Sequence, residues 1–486
     1  MSDLSTNSTA TAMAGRWRHM PWLVLAASLL AAVPLFLSLP PLLACAAMVG
    51  IGLAPLAALF AFRNPFTLCL VFVIFSFFRI HEAFPALGAL HIPQLAAAPT
   101  IMILAWRVLG TRTVTPYWSR ELTALSVFFV LVTIGVFAAT SRPTALAYWS
   151  STYIKIFAMV IVIAWLTRQP RDFAFASHAF VLAGVLIALV ALYNKANGIG
   201  LVEGTRVTIA RDLQSVLGDP NDLSLVLLFP LSFAASLVVI RGRWLSVLLG
   251  AVATVCILSA IVATQSRGGL MGSAVVMAIF GSRVIKSKAL LVSIGVVALL
   301  GLFAVAGISG RASGGAAEAG IDESSMGRIY AWGAAWHMAL ARPLTGVGLD
   351  NFTSNYFFYS GHWDGLNHAV HSTWFGVLGE TGFPGIITFV TMVVLVVLSA
   401  LRSVKATQAP QTPVAVRAMA LALLSGILAF CVAGTFLTQG FTWPLYIILA
   451  LCAATSHFAK TNLRFATDAQ APAHRDHENI RKIAAC

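Results

Sequence analysis

Residues 371–400 read HSTWFGVLGETGFPGIITFVTMVVLVVLSA, and Glu380 is the only acidic or basic side chain in this run besides the histidine at its start. A helix rises about 1.5 Å per residue and the hydrocarbon core of a bilayer is about 30 Å thick, so about twenty apolar residues can cross it. Backbone groups in lipid must be hydrogen-bonded within their own segment, which favours a helix over an open strand. This stretch therefore predicts a membrane-spanning helix that begins close to His371.

Similar apolar runs recur along the 486 residues, of which 59% are hydrophobic and only 10% are charged. Soluble domains contain about 45–50% apolar and about 25% charged residues. The pattern predicts an all-α, polytopic integral membrane protein with about 12–14 transmembrane helices and one large external loop, residues 309–371. The candidate spans are residues 21–39, 42–61, 65–79, 94–109, 121–140, 150–166, 173–193, 222–240, 244–265, 268–282, 289–308, 373–400, 414–436 and 441–459.

The formal net charge of +14 indicates membrane orientation rather than a nucleic-acid surface. If the N-terminus is cytoplasmic and the spans alternate, 21 of the 31 basic residues fall inside with six acidic ones, whereas nine basic and eleven acidic residues fall outside. Excess Lys and Arg in cytoplasmic connections is the usual orientation signal of membrane proteins. We therefore expect both termini in the cytoplasm, no removed signal peptide, and four chemically distinctive connections outside: 194–221, 265–269, 309–371 and 438–442.

Neither a disulfide framework nor a metal site is predicted. Five of the six cysteines lie in predicted spans and the sixth is the last residue, Cys486, and no pair has metal-ligand spacing. The sequence also contains no P-loop, no dinucleotide fingerprint and no Asp-x-Asp-like pair for a metal-held nucleotide sugar. No cofactor is therefore predicted, and the energy for an external reaction must arrive in an already activated substrate.

The external loop 309–371 has distinct parts. Gly310–Gly320 is rich in Gly, Ala and Ser and is expected to be flexible. Residues 322–340 are predicted to form an amphipathic helix that lies flat at the membrane interface. Its predicted apolar face consists of Met326, Ile329, Gly333, Trp336 and Leu340.

His371 and Glu380 are the candidates for proton transfer or binding at the start of the 373–400 span. A histidine at a membrane entrance is able to act as a general base near neutral pH, or to form only structural hydrogen bonds. Glu380 lies nine residues further on, about two and a half turns of a regular helix, so it should point away from His371. A carboxylate within a span needs a partner, which is a substrate or a neighbouring helix.

Four arginines are predicted on the external face. A guanidinium binds phosphate through two parallel hydrogen bonds, so such a cluster suits an anionic ligand such as a pyrophosphate, although an arginine at a span end is also an ordinary interfacial anchor. Lys155 lies within a span and requires a carboxylate, a carbonyl or an aqueous cavity as its partner. The four arginines are Arg206, Arg211, Arg267 and Arg328.

Several motifs resemble those of the bacterial O-antigen ligase and polymerase superfamily, and they occur along the chain in the order in which that family has them. The resemblance covers about residues 200–400, whereas the first 190 residues resemble the family only in being spans. Its most specific part is His371-Ser372 followed by Leu378–Gly385. The other elements are Asp219–Asp222, Ser266-Arg267-Gly268-Gly269, Gly327-Arg328 with Trp332 and Trp336, and Arg342–Gly348.

The resemblance implies an inner-membrane glycosyltransferase that moves a glycan from undecaprenyl pyrophosphate to an acceptor hydroxyl on the periplasmic side, without metal or nucleotide. The acceptor is a glycan, a lipid or a protein, and membrane lipids are the other expected partners. His371 would be the catalytic residue, and Arg267, Arg328 and one of Arg206 or Arg211 would hold the pyrophosphate. Glu380 is placed with these substrate-binding residues.

The resulting domain assignment has four parts: a disordered cytoplasmic tail at 1–20, N-terminal transmembrane helices at 21–193, a ligase-like membrane domain at 194–460, and a cytoplasmic tail at 461–486. Ligase and polymerase share the motifs and are both open. A transporter or flippase of lipid-linked glycans is a further alternative, although it usually shows internal repeats, which are not seen in this sequence. A membrane assembly factor is the remaining, non-enzymatic alternative.

Overall fold

The computed structural model describes residues 59, 62–84, 87, 92–213, 215–305, 323–363 and 365–470. The chain divides into two compact units, residues 1–69 and 70–486, and the candidate site lies wholly within the second. The predicted span 21–39, nearly all of 42–61, the tail at 1–20, Gly310–Gly320 and residues 471–486 lie outside the described part.

The described chain is helical, and its only strand-like feature within that part is an isolated bridge between Val202 and Arg206. Each of the twelve predicted spans from 65–79 onward overlaps a helix. The α-helices are α1 Pro65–Phe77, α2 Ile80–Ala83, α3 Ile92–Ala105, α4 Arg120–Ala138, α5 Arg142–Tyr148, α6 Ile154–Leu166, α7 Pro170–Asn197, α8 Pro220–Val239, α9 Trp244–Thr264, α10 Arg267–Val284, α11 Lys288–Val305, α12 Glu323–Ala341, α13 Phe352–Tyr359, α14 Thr373–Ala406, α15 Val414–Ala433 and α16 Trp443–Gln470.

Eight stretches of the described chain are helical, long and apolar enough to cross a membrane, judged by length and composition, so the protein is an all-α polytopic membrane protein. Two short π-helical segments, Trp106–Gly110 and Trp149–Tyr153, extend α3 and join α5 to α6. The last helix continues to Gln470, ten residues into the segment predicted as a cytoplasmic tail. The total number of spans and the orientation stay predictions.

Helix α8 is the most buried of the eight candidate spans in the described part, and glycines on its neighbours allow close backbone approach. A Cβ added at Gly184 of α7 would lie 2.3 Å from the Cβ of Pro230, and one at Gly250 of α9 would lie 2.7 Å from the carbonyl oxygen of Ala234. Small residues at helix interfaces are the usual means of tight packing in membranes, where burial from water contributes little. The glycines therefore fix how closely α7 and α9 pack against α8.

Helix α12 packs through a different face from the predicted one. Ala331, Ala334, Ala335 and Met338 are buried in one cluster with residues of α13 and the 342–351 connection, whereas the predicted apolar face is mostly exposed. The alanines form the buried face because their small side chains let the backbones of α12 and α14 approach closely. A Cβ at Gly379 of α14 would lie only 3.3 Å from the Cα of Ala335. The exposed members of the predicted face are Ile329, Trp336 and Leu340, at 49%, 46% and 54% exposure.

Helix α14 is interrupted at Gly382, whose φ of 68° and ψ of −167° are essentially restricted to glycine. Pro384 has no N–H, so the carbonyl of Glu380 lacks its helical donor and accepts from the Gly348 N–H at 3.1 Å instead. The Phe383 N–H donates to the Pro343 carbonyl at 2.9 Å. The break therefore creates a slot in which the turn 343–348 is hydrogen-bonded to the helix.

Substituting Gly382 by alanine should destabilise the protein strongly. A Cβ there would lie 2.5 Å from the carbonyl oxygen of Pro343, and the backbone conformation would itself be strained. We expect a loss of about 3 kcal/mol or more, which is visible as a lower thermal midpoint of the purified protein. Gly333→Ala is the matched control, because no atom lies within 4 Å of the added Cβ and alanine favours a helix interior. Equal midpoints for the two variants would contradict the proposed slot.

Candidate active site

Four segments that are distant in sequence meet at one end of the bundle. The Nε of Arg206 donates to the Thr264 carbonyl at 3.2 Å, which joins the 194–221 connection to the 265–269 corner. The Nε2 of Gln439 donates to the Oδ1 of Asp222 at 2.7 Å, and the hydroxyl of Thr373 donates to the Leu437 carbonyl at 2.7 Å. The connections predicted to share one side of the membrane therefore come together in space.

Three helices begin at this meeting point, and each has a capped N-terminus. The Oδ1 of Asp219 accepts from the Asn221 N–H of α8 at 2.7 Å, and the Oγ of Ser266 accepts from the Gly269 N–H of α10 at 3.2 Å. The Oγ of Ser372 accepts from the Phe375 N–H of α14 at 3.5 Å. Helix N-termini carry partial positive charge and favour anions nearby. The fold thus directs three positive helix ends at one region.

Arg206 is buried in this region, with 7% exposure. Its Nη2 donates to the Oδ1 of Asn221 at 2.8 Å, and its Nη1 lies 3.7 Å from a carboxylate oxygen of Glu203. Burial lowers the pKa of Arg206; Glu203 and Asp219 oppose this shift, and Arg328 adds to it. An arginine remains protonated despite such a shift, so a positive charge lies next to the starts of α8 and α10.

Arg211 lies elsewhere on the same connection. It is exposed and begins a short 3-10 helix, Arg211–Leu213. A Cβ added at Gly218 would lie 3.0 Å from the Cα of Arg211, so this contact involves its backbone and not its guanidinium. Of the two candidate arginines, the structure therefore groups Arg206 with Arg328.

Arg328 and Arg267 border the same short turn, Gly434–Phe436. The guanidinium carbon of Arg328 lies 5.8 Å from the centre of the Phe436 ring, a cation–π contact. A Cβ at Gly268 would lie 3.5 Å from the Cβ of Phe436, so the residue next to Arg267 packs against the Phe436 side chain. Phe436 was not identified from the sequence, because an isolated phenylalanine at the end of an apolar span carries no functional signal.

His371 is half-buried immediately before the Ser372 cap, with a left-handed backbone at φ 45°. Such a conformation is uncommon for a residue other than glycine and is often found at functional sites. Burial is the main cause of a pKa lowered below 6.5; Arg328 and His368 also lower it, and Asp219 opposes them. His371 and Arg206 therefore both respond to the charges of Arg328 and Asp219, which places the four side chains in one electrostatic cluster.

Glu380 is engaged elsewhere. Its Oε2 accepts from the Asp350 N–H at 3.1 Å and its Oε1 from the Phe352 N–H at 3.2 Å. These amides are at the start of α13, where a carboxylate satisfies donors that have no partner within the helix. The structure thus gives Glu380 a structural task, holding α13 and the preceding turn on α14. Its predicted role in binding substrate stays a prediction.

Gln439 is a residue of this region that the sequence did not single out, although its segment was marked as external. It is 4% exposed, and its N–H donates to the hydroxyl of Thr373 at 3.1 Å in addition to its side-chain bond to Asp222. Gln439 therefore fixes the start of α14 relative to the start of α8. As for metal ligands, no group of three His, Cys, Asp or Glu side chains close enough to hold an ion occurs among the described residues.

Comparison with known proteins gives one family. The family model described as O-Antigen ligase matches residues 252–390, a range that includes Arg267, Arg328, His371 and Glu380 but neither Arg206 nor Arg211. No curated protein matches the chain.

Proposed function

We propose that this membrane protein transfers a glycan from undecaprenyl pyrophosphate to an acceptor hydroxyl at the periplasmic face of the inner membrane. The match of residues 252–390 to the O-Antigen ligase family model supports this proposal. The family match indicates a membrane protein that transfers glycans, either as a ligase or as a polymerase. The grouping of His371, Arg206 and Arg328 where three helix N-termini meet supports the proposed site and its anionic donor.

His371 is proposed as the general base. The acceptor hydroxyl gives its proton to the neutral imidazole while its oxygen forms a bond to the anomeric carbon of the glycan. The bond from that carbon to the pyrophosphate oxygen breaks, and its electron pair leaves with the pyrophosphate. The lowered pKa supports this role, because a base must be unprotonated at the working pH.

Arg206, Arg267 and Arg328 are proposed to bind the pyrophosphate. Negative charge increases on the leaving group as the bond breaks, and fixed positive charges that meet it there lower the barrier. Arg206 is held by Thr264 and Asn221, so little reorganisation would be needed when the charge develops. Its partner Glu203 is 44% exposed, so solvent screens that carboxylate, and the Oδ1 of Asp219 accepts from the Asn221 N–H at the start of α8.

The proposed base predicts a defined pH dependence. The rate of transfer should rise with pH as His371 loses its proton and level off once the imidazole is neutral. Because the pKa is lowered, the midpoint of the rise should lie below 6.5. Initial rates of the purified enzyme with saturating donor and acceptor would measure it. A midpoint above 7 would contradict the assignment, as would the same rise in a residually active His371→Gln variant.

Deleting the gene and examining the cell's glycans tests the proposed function. Loss of long chains with single repeats still attached to the acceptor would identify a polymerase. Lipid-linked polymer that never reaches its acceptor would identify a ligase. Unchanged glycans at both stages would contradict the proposal, and glycan retained on the cytoplasmic side would support a transporter instead.

A further inference from the structure

A cavity of about 480 Å³ lies among the N-terminal helices, outside the candidate active site. Pockets for small ligands usually measure about 300–1,000 Å³, so this one is large enough for a lipid headgroup. None of its lining residues falls within 252–390, the range of the family match. Its wall is formed by the ends of α1 and α2, one side of α3, the π-helical segment Trp149–Tyr153 with the start of α6, and Trp443.

Three basic side chains line this cavity: Arg79, His81 and Lys155. The Nε of Arg79 donates to the Oε2 of Glu82 at 2.7 Å, and its Nη2 lies 2.5 Å from the Oε1 of the same carboxylate. The Nη1 of Arg79 takes no part in this pairing. Lys155 is exposed and forms no ion pair with any described residue. The cavity therefore offers an anion the ammonium of Lys155 and the remaining N–H groups of Arg79.

Apart from Gln94, the side of the cavity formed by α3 is apolar. Ala97, Ala98 and Ile101 line it, and their small or aliphatic side chains leave room for a hydrocarbon chain. The same helix directs Leu95 and Met102 outward, at 69% and 62% exposure. On a membrane-spanning helix such residues face lipid. The basic end of the cavity therefore continues into a surface that acyl chains occupy.

The cavity lies at the same end of the bundle as the candidate active site. The hydroxyl of Ser215 donates to Glu82, the partner of Arg79. Ser215 caps the short helix Val216–Gly218, directly before Asp219. Arg79 is thus at the level where the spans end and headgroups lie, the depth at which Lys and Arg side chains commonly meet phosphates. Lys155 belongs to the membrane-spanning stretch Arg142–Leu166, and its long side chain lines the same cavity.

We propose that this cavity binds the phosphate-bearing headgroup of a membrane lipid, with Lys155 and Arg79 on the phosphate and the lipid chain along Ala97 and Ile101. The sequence required a partner for Lys155, and a lipid phosphate supplies it without a protein carboxylate. The proposal is independent of the transfer reaction at His371.

Lipid binding to the purified full-length protein tests this proposal. Native mass spectrometry would titrate phosphatidylglycerol and, as a phosphate-free counterpart, diacylglycerol with the same chains. Lys155→Gln should weaken binding of phosphatidylglycerol about fivefold, the usual effect of one basic residue near a membrane surface, and leave diacylglycerol binding unchanged. Arg142→Gln is the matched control, because it removes the same charge from an exposed side chain at the start of α5, and Arg142 does not line the cavity.

Ala97→Trp provides a second test, because it narrows the apolar side without changing charge. It should weaken binding of both lipids and leave binding of inorganic phosphate unchanged. Unaltered phosphatidylglycerol binding in Lys155→Gln, or equal weakening in the Arg142→Gln control, would overturn the proposal. Binding of inorganic phosphate that depends on Lys155, without binding of phosphatidylglycerol, would also overturn it, since the site would then take a soluble anion. Thermal midpoints of all variants show that they fold.

Discussion

Replacing His371 with glycine should reduce glycan transfer by a factor of about 10²–10⁴, the usual contribution of a general base. The protein should nevertheless fold. Glycine adopts the left-handed backbone at this position without the cost of about 1–2 kcal/mol that other residues incur, and this gain offsets the entropy cost of about 0.5–1 kcal/mol. We therefore expect the free energy of unfolding to change by about 1 kcal/mol at most. Transfer rates and the thermal midpoint of one purified preparation measure both effects.

Two further substitutions separate the chemistry of His371 from its position. Asparagine tolerates the left-handed conformation and forms hydrogen bonds but accepts no proton, so His371→Asn should be as inactive as His371→Gly. His362→Ala is the control within the same external segment, where the imidazole stacks on Tyr330 with ring centres 4.8 Å apart. It should retain activity to within about twofold, because His362 is half-buried and is not among the charges that act on His371. Activity in His371→Asn close to that of the unmodified protein would exclude a proton-accepting role.

Replacing Arg206 with glutamine should lower the rate of transfer by a factor of about 10²–10³, the usual effect of losing one group that stabilises charge in the transition state. Arg211→Gln should leave the rate within about twofold, because Arg211 is an exposed side chain whose substitution has little effect. Both variants remove one positive charge from the same connection. The comparison therefore isolates the position of the guanidinium from the net charge of the protein.

Arg206→Gln also removes contacts with Thr264, Asn221 and Glu203, so its stability must be measured beside its rate. Losing hydrogen bonds to a charged group costs about 1.5–3 kcal/mol, which lowers the thermal midpoint without unfolding a stable protein. Arg206→Lys keeps the charge but not the planar fork, and we expect an intermediate rate. Equal rates for Arg206→Gln and Arg211→Gln would remove Arg206 from the proposed pyrophosphate site.

The helices were predictable because their signal is local. Apolar runs such as 373–400 and 244–265 each contain enough residues to cross a membrane, and every predicted span in the described part overlaps a helix. The position of His371 at a helix start was also local information, since Ser372 and the following apolar run mark an N-terminus. Boundaries were less exact: α14 continues to Ala406 and α16 to Gln470.

Residue partnerships were not predictable because they depend on contacts between distant segments. Arg206 and Arg211 are five residues apart and chemically identical, and only the approach of Thr264 and Asn221 distinguishes them. The buried face of α12 was assigned to its larger apolar residues, whereas close packing of two backbones selected the alanines. The helical period alone does not reveal which face a neighbouring helix covers.

Hydropathy and helix capping act over a few residues, so the class of this protein, its apolar helices and the segments that carry its reactive side chains are all readable from the amino-acid order. The partners of these side chains depend on contacts between distant helices. In the folded protein the charges of Arg328 and Asp219 act on both His371 and Arg206, Glu380 accepts from the backbone at the start of α13, and Lys155 lines a cavity. These contacts follow from packing between helices, where a glycine or a break such as Gly382 sets the distance between two backbones.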